Sequence, residues 1–170
     1  MGNHGDQPAK AMIRTMTDAD RDAVLSLVRE LQAHESTVYD RMIPPEEITA
    51  TYLDRMAADC QTYDGVVLVA VKGDRVVGYA SVMRRAFDES YDEVPFTYAY
   101  VADLVVSDRE RGSGIGRGLL EACEAEARAA GQAWMRISVL AKNIGAHGLY
   151  RSFGFNDHLV TLEKPLKEKT

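Results

Sequence analysis

Six consecutive residues, Arg111-Gly112-Ser113-Gly114-Ile115-Gly116, set three glycines and an arginine before a stretch of helical apolar spacing, with Arg109 and Arg117 on either side. Glycine lets successive amides turn toward one point and lets a charged ligand approach the main chain. A helix start adds unpaired N–H groups and the positive end of the helix dipole. With three arginines on an otherwise acidic chain, the pattern reads as an anion cradle, for a pyrophosphate above all. The alternative is a glycine-rich turn without chemistry. A dinucleotide fingerprint needs glycines at relative positions one, three and six. Counting from Gly112 the sixth residue is Arg117, and from Gly114 it is Leu119, so both fail. A nucleotide-hydrolase loop closes on Gly-Lys-Ser/Thr, which is missing. Hydride transfer and nucleotide hydrolysis are therefore weak readings.

The rest of the composition narrows the chemistry further. The 170 residues suit one domain with a sizeable core. Twenty basic residues against 26 acidic ones leave a net charge of −6, which argues against a nucleic-acid binder. Cys60 and Cys123 show no metal or redox spacing and read as free thiols in a reducing compartment. His4, His147 and His158 have no partners at metal-ligand spacing, and no metal is expected. The longest apolar run, 66–71, falls far short of the ~20 residues that span a bilayer. Residues 1–10 read as a loose polar tail without a signal-peptide core, and 167–170 as a short second tail, leaving 11–166 as the domain. A cytoplasmic protein with no membrane association is expected.

To hold the cradle in place the chain needs a strand before it and a helix after it, and the patterning supplies both. A short strand is expected at 11–16. Thr17 opens a helix, its hydroxyl capping amides in a box with Asp20, followed by Val24, Leu25, Val28 and Leu31 on one face. Pro44-Pro45 leads into a second helix with Ile48, Tyr52, Leu53 and Met56 inward. Strands are expected at 66–71 and 76–83, joined by a turn, and at 96–106 after a polar loop over 84–95. The helix after the cradle covers 117–130, with Leu119, Leu120, Cys123 and Ala127 inward and Gly131 as its left-handed stop. A strand at 135–140, a helix at 144–152 and a final strand at 155–163 complete a mixed α/β (α+β) single domain.

Arg-x-x-Gly-x-Gly followed by an apolar helix resembles the acyl-CoA pyrophosphate loop of the GNAT N-acetyltransferase superfamily. Leu104-Val105-Val106 precedes it at the family spacing, and Asn143, Ala146, Leu149-Tyr150 and Phe153-Gly154-Phe155 follow as in that family. The motif match covers about 60 residues, 96–155, and the element order extends it over most of 12–163. The resemblance implies a central, mostly antiparallel twisted sheet that splays near the CoA site and is flanked by helices. It also implies an acyltransferase of the EC 2.3.1 class that moves the acetyl group of acetyl-CoA to a primary amine of a small molecule or peptide, by direct attack in a ternary complex. Backbone groups of Leu104, Val105 and Val106 would hold the pantetheine arm and acetyl carbonyl. The amides of Arg111, Gly112, Ser113, Gly114, Ile115 and Gly116 would hold the pyrophosphate, with Arg109 and Arg117 nearby. A side chain at Gly114 or Gly116 would then fill pyrophosphate space. Asn143 would bond the CoA arm, or else simply cap its helix. Tyr150 would protonate the departing thiolate as general acid.

The base is the open role. Some relatives carry a glutamate where this chain has Ala102, so that assignment does not carry over. Asp103 is adjacent, but one step along a regular strand points to the opposite face. Asp103 is thus either catalytic or a structural strand carboxylate, and a water chain ending on Glu35 or on a loop carboxylate is the alternative. His34, Glu35 and Tyr39, with Asp88, Glu89, Tyr91, Asp92 and Glu93, lie in segments that shape acceptor choice in the family. They suit a cationic acceptor such as a polyamine, an aminoglycoside or a lysine side chain, or else form a solvated acidic loop. Other readings are a non-catalytic acyl-CoA-binding regulatory module and a purely structural domain. An edge strand and the C-terminal strand offer routes to a homodimer, which is frequent in the family.

Overall fold

Valine-rich runs separated by Gly73 and Asp74 fold back on each other as an antiparallel hairpin, Gly65–Lys72 (β2) and Arg75–Ala86 (β3). Gly73 takes φ +61 in the two-residue connection, a conformation that favours glycine. Met12–Thr15 (β1) adds to the outer edge of β2 and Tyr98–Val106 (β4) to β3, both antiparallel; Met135–Ile137 (β5) runs parallel to β4. The sheet order is β1-β2-β3-β4-β5. The computed structural model describes residues 11–88 and 92–166; both expected tails, and Glu89 and Tyr91, lie outside the described residues.

Successive strand residues face opposite sides. Val69, Tyr79 and Val105 meet Val24, Leu27 and Val28 of Arg21–Glu35 (α1) and Leu53 and Met56 of Ala50–Thr62 (α2). Leu68, Ala70, Ala80 and Val101 meet Ile115, Leu119 and Cys123 of Ile115–Ala129 (α3) on the other side. Ile144–Phe153 (α4) follows β5. Gly131, at φ +76, and Gly154, at φ +114, end α3 and α4 as left-handed stops.

Several boundaries differ from expectation. A 3₁₀ turn, Asp18–Asp20, precedes α1. There the Thr17 amide and hydroxyl both donate to Asp20 Oδ2, at 2.7 and 2.8 Å, so the hydroxyl acts as donor to the carboxylate. Arg14 adds two further bonds to the same carboxylate, 2.7 and 2.9 Å. β3 runs on to Ala86, into the expected loop, because Arg84 is anchored by Asp64 and Glu126 at the rim. α3 starts at Ile115, directly from Gly114, because the left-handed glycine itself ends the loop. β5 stops at Ile137, not at 140. The strand expected at 155–163 is not formed, and Leu159 and Leu162 are 84% and 89% exposed. Its alternating apolar pattern needs a straight neighbouring edge, and a three-residue β5 is too short to provide one. Glu163 instead pairs with Arg41.

Candidate active site

The cradle forms where β4 hands over to α3. Gly112 and Gly114 take φ +75 and +84, with open space where a side chain would stand. That places the first free amides of α3, on Ile115, Gly116 and Arg117, at the mouth of a solvent-open loop. Gly116 has a different reason to be glycine: a Cβ there would meet Leu149 Cδ2 at 3.0 Å. It lets α4 pack close to α3. The arginines also divide. Arg111 pairs with Asp108 at 2.7 Å, and Arg117 donates to the Ser152 carbonyl and lies over the Phe153 ring. Arg109 is exposed on the 3₁₀ turn Asp108–Glu110, beside the loop. Amides with one cation at hand fit a phosphate-bearing ligand.

Beside the cradle the sheet opens. β4 and β5 pair only through Ala99, Tyr100 and Val101, opposite Met135, Arg136 and Ile137. Beyond that point no strand among the described residues pairs with the β5-facing backbone of Leu104, Val105 and Val106. This is the splay that the family resemblance implies.

A bulge decides where Asp103 points. Val101 pairs with Val82 and Asp103 with Ser81, so Ala102 is an extra residue in the ladder. Without it Val101 and Asp103 would share a face. With it Val101 packs against α3, while Asp103 joins Tyr79 and Ser81 on the α1–α2 side. Ala102 itself is exposed.

Residues of α2, β3, α1 and α4 bear on Asp103 there. Tyr52 of α2 donates its hydroxyl to Asp103 Oδ1 at 3.0 Å. The Tyr79 and Ser81 hydroxyls of β3 are fully buried, bear on the same carboxylate, and have no hydrogen-bond partner. Burial pushes the Asp103 carboxyl up, and the three hydroxyls pull it back down. Glu35, on the last turn of α1, is also raised, by burial first and by the Asp103 charge second, with His34 opposing. Tyr150 of α4 is 7% exposed. Its phenol is pushed up to about 12, by burial first and then by Glu35 and Asp103. The ring is held edge-on against Phe155, centroids 6.0 Å apart. Tyr150, Glu35 and Asp103 therefore share one electrostatic site although 115 positions separate the first and last along the chain.

Other expected site residues are placed elsewhere or differently. Asn143 Oδ1 accepts the Ala146 amide at 3.2 Å, the helix-cap alternative. Asp88 is not an open carboxylate: Arg136 pairs with it at 2.6 Å and Tyr98 donates to it at 2.7 Å. Arg136 is itself stacked over Tyr98 and Phe96. Glu93 is exposed. Tyr52 is expected only as an inward core residue of its helix, and Tyr79 and Ser81 carry no expected site role. The signal was available, since hydroxyl residues interrupt apolar faces of a helix and a strand, but such residues also pack as ordinary core.

Comparison with known proteins agrees with this fold. Residues 28–155 match the model of the acetyltransferase (GNAT) family. An L-methionine sulfoximine/L-methionine sulfone acetyltransferase of Salmonella typhimurium is 29% identical over 155 residues, 90% of this chain and 82% of that protein. A mutant of the BH1408 protein from Bacillus halodurans superposes with a TM-score of 0.82 at 24% identity, covering 92% of this chain and 99% of that one. AAC(6')-Iy, solved with a bisubstrate analogue, CoA-S-monomethyl-acetylneamine, superposes with a TM-score of 0.71 at 14% identity, with the same coverage. The chain belongs to the GNAT acetyltransferase family, and its chemistry is acetyl transfer. Among the described residues no helix is long and apolar enough to cross a membrane, and no group of three metal-ligating side chains is found.

Proposed function

We propose that this protein transfers the acetyl group of acetyl-CoA to a primary amine by direct attack, with both substrates bound together. The observation that carries the reading is the amide cradle at the start of α3 beside the β4 edge that β5 leaves unpaired, with the charges of Glu35 and Asp103 bearing on Tyr150. Acetyl-CoA supplies a thioester, whose carbonyl carbon is open to an amine and whose sulfur leaves as a thiolate.

The residues of the chain do the rest. The Ile115, Gly116 and Arg117 amides, with Arg109, hold the pyrophosphate, and the free backbone of Leu104, Val105 and Val106 aligns the arm. The Nδ2 group of Asn143 donates to the same arm while Oδ1 caps α4. An amine arrives as an ammonium ion, and the acidic wall at Glu35 takes up one proton so that the nitrogen lone pair is free. A carbon–nitrogen bond then forms, the carbon–sulfur bond breaks, and Tyr150 gives its proton to the sulfur. The second nitrogen proton leaves to solvent, Tyr150 takes one back from solvent and Glu35 releases its own, so each turnover yields amide, free CoA thiol and one proton. Among the described residues, His34 is the only basic side chain whose charge bears on Glu35, and none bears on Asp103. A cationic amine without a neighbouring carboxylate therefore suits the site better than an amino acid does.

The test is CoA release with acetyl-CoA and a panel of diamines, aminoglycosides, lysine peptides and amino acids. Amine-dependent release, greatest with the polycations, is expected. Tight acetyl-CoA binding with no amine-dependent release would instead mark a regulatory acyl-CoA-binding module.

A further inference from the structure

The two carboxylates of the site are not equivalent. Asp103 lies on the sheet floor, aimed there by the bulge at Ala102, and its Oδ1 already accepts the Tyr52 hydroxyl at 3.0 Å. Two more hydroxyls, of Tyr79 and Ser81, are fully buried on the same face, Ser81 directly across the ladder from Asp103, and neither makes a hydrogen bond among the described residues. All three are donors that favour the ionised carboxylate. Glu35 stands on the helix wall and is held by no side-chain donor among the described residues. The titratable groups around the pair are Tyr52 and Cys60 from α2, Tyr79 from β3, Tyr150 from α4 and His34 from α1.

We propose that Asp103 is a positioning residue, a fixed anion held by the Tyr52 hydroxyl and faced by those of Tyr79 and Ser81, whose charge makes Glu35 the stronger base and the group that takes the acceptor's proton. This rests on the acetyl-transfer reading but is separable from it. A proton settles on the carboxylate whose anion is least stabilised, and hydrogen-bond donors crowd Asp103 while Glu35 has none. A neighbouring anion then raises Glu35 further, because two close carboxylates resist ionising together. Burial first and the Asp103 charge second push the Glu35 carboxyl up.

The test is carboxyl-carbon NMR titration of the wild type and of Asp103→Asn, which keeps the size of the side chain and an acceptor for Tyr52. In the wild type, Glu35 should take its proton at higher pH than Asp103 does. In Asp103→Asn the Glu35 titration should move down by about one pH unit, as expected for removing a like charge at short range. In the kinetics, the acidic limb of kcat/KM should move down with it, while kcat above that limb falls only a few-fold. Glu35→Gln should abolish the limb and cost ~10²–10⁴ in rate. Protonation of Asp103 before Glu35 in the wild type would overturn the proposal, even if Asp103→Asn failed to fold. So would an unmoved Glu35 in a folded Asp103→Asn, or loss of ~10²–10⁴ in its plateau rate. The titration is read without turnover, so a chain that acetylated no amine would refute the functional reading and leave the carboxylate order decided.

Discussion

Replacing Tyr150 by Phe removes one oxygen from the middle of the site and little else. The ring keeps its edge-on contact with Phe155, 6.0 Å between centroids, and the hydroxyl makes no hydrogen bond among the described residues. Deleting an unpartnered hydroxyl from a buried ring is close to neutral for stability. Thermal unfolding and acetyl-CoA affinity should therefore stay near wild type. The rate should not. A phenol pushed up to about 12 by burial, Glu35 and Asp103 is ionised in about one molecule in ten thousand at pH 8, so the donor is present throughout the working range. Without it the thiolate must leave unprotonated or take its proton from water. Loss of a positioned general acid costs ~10²–10⁴, or ~3–5 kcal/mol of barrier. The assay is CoA release from pH 6 to 10, with acetyl-CoA affinity by calorimetry alongside. Because the phenol is raised and not lowered, the wild type should show no basic limb due to Tyr150 below pH ~11. A Phe variant turning over within about threefold of wild type, with chemistry rate-limiting, refutes the assignment and leaves Tyr150 as packing.

Other perturbations test other parts of the structure. Gly114→Ala forces a side chain into φ +84 and should cost ~1–2 kcal/mol of stability while weakening acetyl-CoA binding, read by thermal unfolding and calorimetry; unchanged affinity would remove the loop from the cradle. Asp20→Ala should cost ~1–3 kcal/mol, since it strands the Thr17 amide and the Arg14 guanidinium. The Asp20 carboxyl is held well below the usual range by Arg14 first and Thr17 next, so its stabilisation is complete above pH ~4 and is lost as pH falls below that; the variant should lose less stability between pH 4 and 2, by denaturant titration. Asp88→Asn should leave the acceptor KM unchanged at low salt, because Arg136 already neutralises that carboxylate; a raised KM would return Asp88 to the acceptor site.

Reading residues in order locates whatever depends on local spacing. The loop at 111–116, the two helices before β2, the hairpin about Gly73 and the stops at Gly131 and Gly154 follow from glycine conformation, apolar periodicity and capping. Each involves residues a few positions apart, so periodicity and turn chemistry suffice. The candidate site is legible in part for the same reason: Tyr150 and the cradle sit in contiguous motifs. The orientation of Asp103 does not, because a single extra residue at Ala102 reverses the alternation that predicts strand faces. Nor does the link from Asp103 to Tyr52, 51 positions away, or the pairing of Asp88 with Arg136, 48 positions away. The same holds for the unformed strand at 155–163, whose alternating pattern is sound but whose neighbour, β5, ends after three residues. Apolar pattern says that a segment can pair, while the length and direction of the edge across from it decide whether it does.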